Sequence, residues 1–191
     1  MHRDNQQQTA NDLEIGWLAG ILEGEGSICL TISMRNQRKQ MLRVTPKIIF
    51  TNSDFELMES VIGILDKAGV GKWVKHTKPN NVSTLFKLNG KTTKKFKDMM
   101  YIYVTGMKRV KRLLDIVTPA MHGEKLERAI RLNQFIARRF EKSVESKKAY
   151  NYKYDQEDVD NMLHFLELTN TKRFDKISRM LNDCTGNKRV A

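Results

Sequence analysis

Apolar positions along the 191-residue chain change period several times, and each change marks an element. Leu13, Ile15, Trp17, Leu18, Ile21 and Leu22 recur at helical spacing behind Asn11 or Asp12, either of which can cap the N-terminus. Gly16, Ala19, Gly20 and Glu23 fall at steps of three or four on one face, a nearly bare strip where a second helix can approach closely. Glycine inside a helix costs up to about 1 kcal/mol against alanine, so two of them four residues apart point to tight packing. After Gly26 the period becomes two: Ile28, Leu30, Ile32 and Met34 alternate with Ser27, Cys29, Thr31, Ser33 and Arg35. A second run from Arg43 to Thr51 sets Arg43, Thr45 and Lys47 against Val44, Ile48 and Phe50, which predicts a hairpin with one basic face.

Helical spacing returns at Phe55, Met58, Val61, Ile62 and Leu65, opened by a Ser53–Glu56 capping box and closed at Gly69. Lys72 to Lys78 and Val82 to Leu88 read as strand interrupted near Pro79, and Asn89-Gly90 is a turn before a return run ending Tyr101 to Val104. Helices are expected over 108–117, 124–140, 155–168 and 173–182, with a polar linker over 141–154. The predicted order is helix, hairpin, helix, hairpin, helices.

Charge sharpens this outline. The chain has 34 Lys and Arg against 22 Asp and Glu, a formal net charge of +12. Between Lys72 and Arg112 twelve bases face one acid, Asp98, and five bases stand without an acid between Glu25 and Asp54. Such density competes for the phosphates of nucleic acid by releasing counterions. A bilayer-spanning run of about 18 apolar residues is missing from the sequence, and the N-terminal MHRDNQQQTAND lacks the apolar region of a secretory signal. An intracellular, soluble protein without a membrane role is expected. Cys29 and Cys184 and the four histidines lack the spacing of a zinc site.

The stretch LAGILEGEGS, Leu18 to Ser27, places Glu23 and Glu25 where a helix carries partial negative charge. Acids set against the local field need either solvent or a cation. The stretch resembles the defining motif of the LAGLIDADG homing endonucleases, matching at Leu18, Ala19, Gly20 and Gly26, with glutamate for both aspartates. The element order through about residue 140 is similar to that family as well. The resemblance implies an α/β (α+β) fold: an αββαββα core over 1–140 with a curved antiparallel DNA-binding sheet, followed by a linker and C-terminal helices over 141–191.

It further implies that Glu25, with the Gly24 carbonyl, binds Mg²⁺ at a scissile phosphate. Mn²⁺ is expected to substitute, and Ca²⁺ to bind without supporting cleavage. Such a hard cation prefers carboxylate and phosphate oxygens. Glu23 matches the motif's first acid, which supports the helix ends. Asn52, in FTNSD, stands where relatives carry an amide that positions water; a turn Asn before a helix cap is the alternative. Lys125, in HGEKLERA, matches a lysine near the reaction centre, with His122 or Lys47 as substitutes and a plain solvated lysine as the bland reading.

The DNA-facing strand positions implied are Ser27, Cys29, Thr31, Ser33, Arg35, Arg43, Thr45 and Lys47. Lys72, Lys75, Lys87 and Lys97 of the second hairpin are candidates to extend the footprint. One motif copy supplies half of a helix pair, so a homodimer is expected, packed through Gly16, Ala19, Gly20 and Glu23 on a near-palindromic double-stranded target. The function implied is metal-dependent hydrolysis of both DNA strands. The rivals are an intron RNA maturase, an inactive DNA-binding regulator on the same scaffold, and a general nucleic-acid packaging protein.

Overall fold

Asn11 starts the first helix, α1 (Asp12–Gly24), through a reciprocal capping box. Its side chain accepts the Glu14 N–H at 2.9 Å, and the Glu14 carboxylate accepts the Asn11 N–H at 3.0 Å. Two strands follow, β1 (Gly26–Asn36) and β2 (Met41–Asn52), paired antiparallel from Gly26 opposite Phe50 to Ser33 opposite Arg43 and beyond. The computed structural model describes residues 9–36, 41–77, 98–145, 154–169 and 174–185.

The second helix, α2 (Phe55–Lys67), begins one residue later than the Ser53–Glu56 box predicts. Asn52 Oδ1 accepts the Asp54 N–H at 3.0 Å, and this turn hands the capping role to Asp54, which accepts the Leu57 N–H at 3.0 Å. Next come β3 (Trp73–Thr77), β4 (Met99–Thr105), α3 (Met107–Val117), a 3₁₀ turn at Thr118–Ala120, α4 (Lys125–Glu145), α5 (Gln156–Leu168) and α6 (Phe174–Thr185). The expected Val82–Leu88 strand, the Asn89-Gly90 turn, Lys87 and Lys97 lie outside the described residues.

The four strands form one antiparallel sheet in the order β1-β2-β4-β3. Its two faces follow the period of two. Ile28, Leu30, Val44, Ile48, Phe50 and Ile102 point inward and are buried, and α1, α2 and α3 bring Leu18, Leu22, Val61, Leu65, Leu113 and Leu114 against them. The fold is therefore α/β (α+β), a helical layer on one face of an open sheet. None of the described helices is long and apolar enough to cross a membrane.

The C-terminal helices belong to the same core. Helix α4 runs through Glu145, past the boundary expected at 140, and Val159, Met162, Phe165 and Leu181 join the cluster built by the sheet. Between α4 and the start of α5 lies a buried ion pair: Arg139 Nη1 is 3.2 Å from Asp158 Oδ2, and both side chains are almost fully excluded from solvent. Arg138, at 3.4 Å, and Lys142, at 3.6 Å, also face the Asp158 carboxylate.

Candidate functional site

The two acids of LAGILEGEGS have different surroundings. Glu23 is half-buried, and its Oε1 accepts the backbone N–H groups of His122, at 2.9 Å, and Gly123. A Cβ at Gly123 would lie 2.8 Å from that oxygen, so a side chain there would require the Glu23 carboxylate to shift. Glu25 is the C-cap residue of α1, its N–H donating to the Ile21 carbonyl at 2.8 Å. Its side chain is exposed, and its carboxylate makes no hydrogen bond or ion pair among the described residues.

The cation that the helix end calls for is Lys125. Its ammonium donates to the Leu22 carbonyl, in the last turn of α1, at 3.2 Å and to the Gly26 carbonyl, at the start of β1, at 2.5 Å, and its charge opposes the helix dipole. Burial pushes the Lys125 pKa down, as does the Arg128 charge, while Glu124, Glu23 and Glu25 pull it up. Lys125 thus stands in the field of both motif acids. Gly26 fits because it has no side chain: a Cβ would meet the Leu22 carbonyl oxygen at 2.7 Å and the Leu22 Cα at 2.9 Å.

Asn52 lies two residues beyond Phe50, the partner of Gly26, and so at the same end of the sheet as Glu25. Its amide oxygen is held by the Asp54 N–H, the turn role weighed for it above. His122 is exposed at the loop that binds Glu23, and Lys47 lies farther up the sheet, opposite Cys29.

The outward face of the sheet collects Ser27, Cys29, Thr31 and Ser33 from β1 and Arg43, Thr45 and Lys47 from β2, as the alternation predicts. Arg35 is within β1. Burial raises the Cys29 thiol pKa against the charges of Lys47 and Arg128. Lys75 is exposed and pairs with Tyr101 on the same face. Lys72 is not on it. One residue before β3, its ammonium is 2.5 Å from Asp66 Oδ1 and its side chain only 10% exposed, so that charge is spent within the helical layer. The basic run beyond β4 also leaves the sheet: Lys108, Arg109, Lys111 and Arg112 lie on α3, where Lys111 pairs with Asp115 and Arg112 Nε donates to the Ala68 carbonyl.

The open strip of α1 keeps Gly16 and Gly20 of the expected face but not Ala19, nor Glu23, which is half-buried and bonded to the 122–123 loop. Ala19 is fully buried in the chain's own core, because at 100° per residue it turns inward with Leu18 and Leu22. The outward strip is Leu13 (83% exposed), Gly16, Trp17 (38%), Gly20 and Gly24. Among the described residues nothing lies within 4 Å of where a Cβ would stand on any of its three glycines.

The search for a matching family model finds none, and no curated protein matches. Solved structures do. The homing endonuclease I-TnaI is 16% identical with a TM-score of 0.56, covering 91% of this chain and 99% of its own. I-CvuI in complex with DNA is 16% identical with a TM-score of 0.54, covering 91% and 93%. The LAGLIDADG homing endonuclease I-SmaMI, bound to cleaved DNA, is 13% identical with a TM-score of 0.53, covering 96% of this chain and 52% of its own. The fold is that of the LAGLIDADG homing endonucleases.

Within this LAGLIDADG fold several residues share the site without a signal in the local sequence pattern. Ile49, Thr51, Trp73, Tyr101, Tyr103 and Thr105 stand on the outward sheet face, because β2 pairs with β4 and β4 with β3. Arg128, whose Nη2 donates to Glu124 Oε1 at 3.2 Å, adds positive charge that lowers the pKa of both Lys125 and Cys29. Its spacing of three from Lys125 on a helix was the one available clue.

Proposed function

We propose that the chain is a metal-dependent DNA endonuclease that works as a homodimer and cuts both strands of a near-palindromic duplex. The observation that carries this reading is the Glu25 carboxylate: exposed, without a hydrogen bond or ion pair among the described residues, and at the end of the sheet where α1 stops. The residues fit a divalent cation. Glu25 offers a carboxylate, Gly24 a carbonyl from a helix end where carbonyls lack intrahelical partners, and Mg²⁺ takes few protein ligands, completing its octahedron with water and phosphate oxygens. When bound, the cation activates water and stabilises the leaving oxygen. Lys125, pinned by two carbonyls, adds fixed positive charge where the attacked phosphate becomes more negative. Glu23 holds the 122–123 loop, and so the start of α4 that carries Lys125. Asn52 keeps its turn.

The solved neighbours support a DNA substrate. I-CvuI was solved with Mg and uncleaved DNA and also with its target and Ca, and I-SmaMI with cleaved DNA. This chain spans about half of I-SmaMI and of I-CpaMI, as expected if two copies of it supply what one longer chain supplies there. The bare strip of α1 is the surface we assign to that pairing.

The test is selection of cleaved sites from a randomised duplex library with Mg²⁺, run beside Ca²⁺ and beside Glu25→Gln. Cleavage in Mg²⁺ alone, lost in Glu25→Gln with duplex binding retained, is expected. Cleavage by Glu25→Gln would sink the role of Glu25. Binding with no cut site in any condition would favour a regulator or maturase on the same scaffold.

A further inference from the structure

The outward face of the sheet is polar and basic along β1 and the open half of β2, yet an apolar band crosses it near the Glu25 end. Ser27, Ile49, Tyr103 and Trp73 stand in register across β1, β2, β4 and β3, one position beyond Gly26. The Trp73 and Tyr103 rings lie 5.0 Å apart, and Tyr101 stacks beneath Tyr103 at 6.1 Å with an interplanar angle of 10°. Lys47 Nζ stands 5.9 Å from the Tyr103 ring centre. Trp73 is 59% exposed although the core is one cross-section of the sheet away. Large apolar surface held rigid and open to solvent marks a contact surface. The neighbours of this band are the groups expected to face DNA.

Resting on the nuclease reading above, we infer that this band reads thymine 5-methyl groups in the major groove and so sets the base preference close to the cleavage centre. In an intact duplex the base faces are stacked and closed to aromatic rings. What the major groove shows is a row of donors and acceptors with one apolar group, the thymine methyl. Ile49 and the edges of Tyr103 and Trp73 can bury it, while Lys47 beside the ring is placed for a neighbouring guanine or phosphate. RNA duplexes carry uracil without that methyl and have a deep major groove that side chains cannot enter. The band therefore favours DNA over duplex RNA. An aromatic ladder can also stack unpaired bases, and that is the competing occupant.

The experiment uses the duplex selected with the full-length protein in Ca²⁺. Thymines enriched at two symmetric central positions are replaced by deoxyuridine, which keeps pairing and removes only the methyl. Wild-type affinity is expected to fall roughly fourfold for each methyl that loses its apolar contact, and cytosine replaced by 5-methylcytosine at those positions to recover part of any C-for-T loss. In Trp73→Ala and Ile49→Thr the ratio of thymine to uracil affinity is expected to shrink toward one, a readout that a general weakening of binding would not move. Equal wild-type affinity for thymine and uracil duplexes overturns the band's role while leaving the nuclease reading intact. Tighter binding of unpaired RNA than of any duplex, with Trp73→Ala abolishing it, overturns both.

Discussion

Replacing Asp158 with alanine would leave the Arg139 guanidinium buried without its carboxylate. Asp158 is fully excluded from solvent, Arg139 retains 1% exposure, and their closest N–O distance is 3.2 Å. Removing one member of such a pair typically costs about 3–5 kcal/mol, because the partner's charge stays desolvated. The upper part of that range applies, since Asp158 also accepts the Asp155 N–H at 3.2 Å and faces Arg138 and Lys142. For a chain of this size each kcal/mol shifts the midpoint by about 2–4 °C, so a loss of about 4–5 kcal/mol lowers it by about 8–20 °C. Thermal and denaturant unfolding followed by circular dichroism measure it, with Arg139→Met/Asp158→Leu as the control that removes both charges and recovers most of the loss. A single transition that moves as a whole is expected, because Val159 and Met162 of the same helix sit in the core shared with the sheet. A loss under about 1 kcal/mol, the scale of an exposed ion pair, would refute the reasoning. So would a second transition shifting alone.

Gly26→Ala pushes a methyl to within 2.7 Å of the Leu22 carbonyl oxygen, which cannot swing away as a side-chain tip can. A stability loss of about 1–3 kcal/mol by denaturant titration is expected, as for overpacking elsewhere, and a neutral result would mean that the α1–β1 junction has slack. Gly20→Leu meets open space within the chain, so the protomer should fold while sedimentation velocity shows the monomer in place of the dimer. A dimer of unchanged affinity would remove the α1 strip from the interface.

What could be read from the sequence was local. The alternation from Ser27 to Ser33 placed one sheet face correctly because a strand's side-chain period is fixed by the backbone. The helix after it was found by periodicity, but Asp54 outcompeted Ser53 as its cap because the Asn52 turn sets the entry. What could not be read depends on pairing between distant segments. Tyr101 and Tyr103 alternate with buried Met100, Ile102 and Val104, but only the β2–β4 and β3–β4 registers set them beside Ile49 and Trp73. The basic run divides for the same reason: Lys75 reaches the open face, whereas Lys72 and the four bases of α3 fall in the helical layer. The C-terminal helices were hard to place because Arg139 and Asp158 look like surface charges until they are found paired and buried.

The acids at the end of α1 are best understood as a division of work. A helix terminus with two carboxylates and unpaired carbonyls repels itself, and this chain opposes the repulsion from one direction. Glu23 takes two N–H groups of the 122–123 loop, that loop starts α4, and α4 returns Lys125 to the Leu22 and Gly26 carbonyls. The clasp closes on itself: the acid that would destabilise the helix end positions the cation that stabilises it. Glu25 is left out of that exchange, with its carboxylate in solvent and a lysine's field beside it. Glu25 thus remains an exposed acid set against the helix dipole, with no hydrogen bond or ion pair among the described residues. The two acids at the helix end are therefore accommodated differently, Glu23 by two backbone N–H groups and Glu25 by solvent.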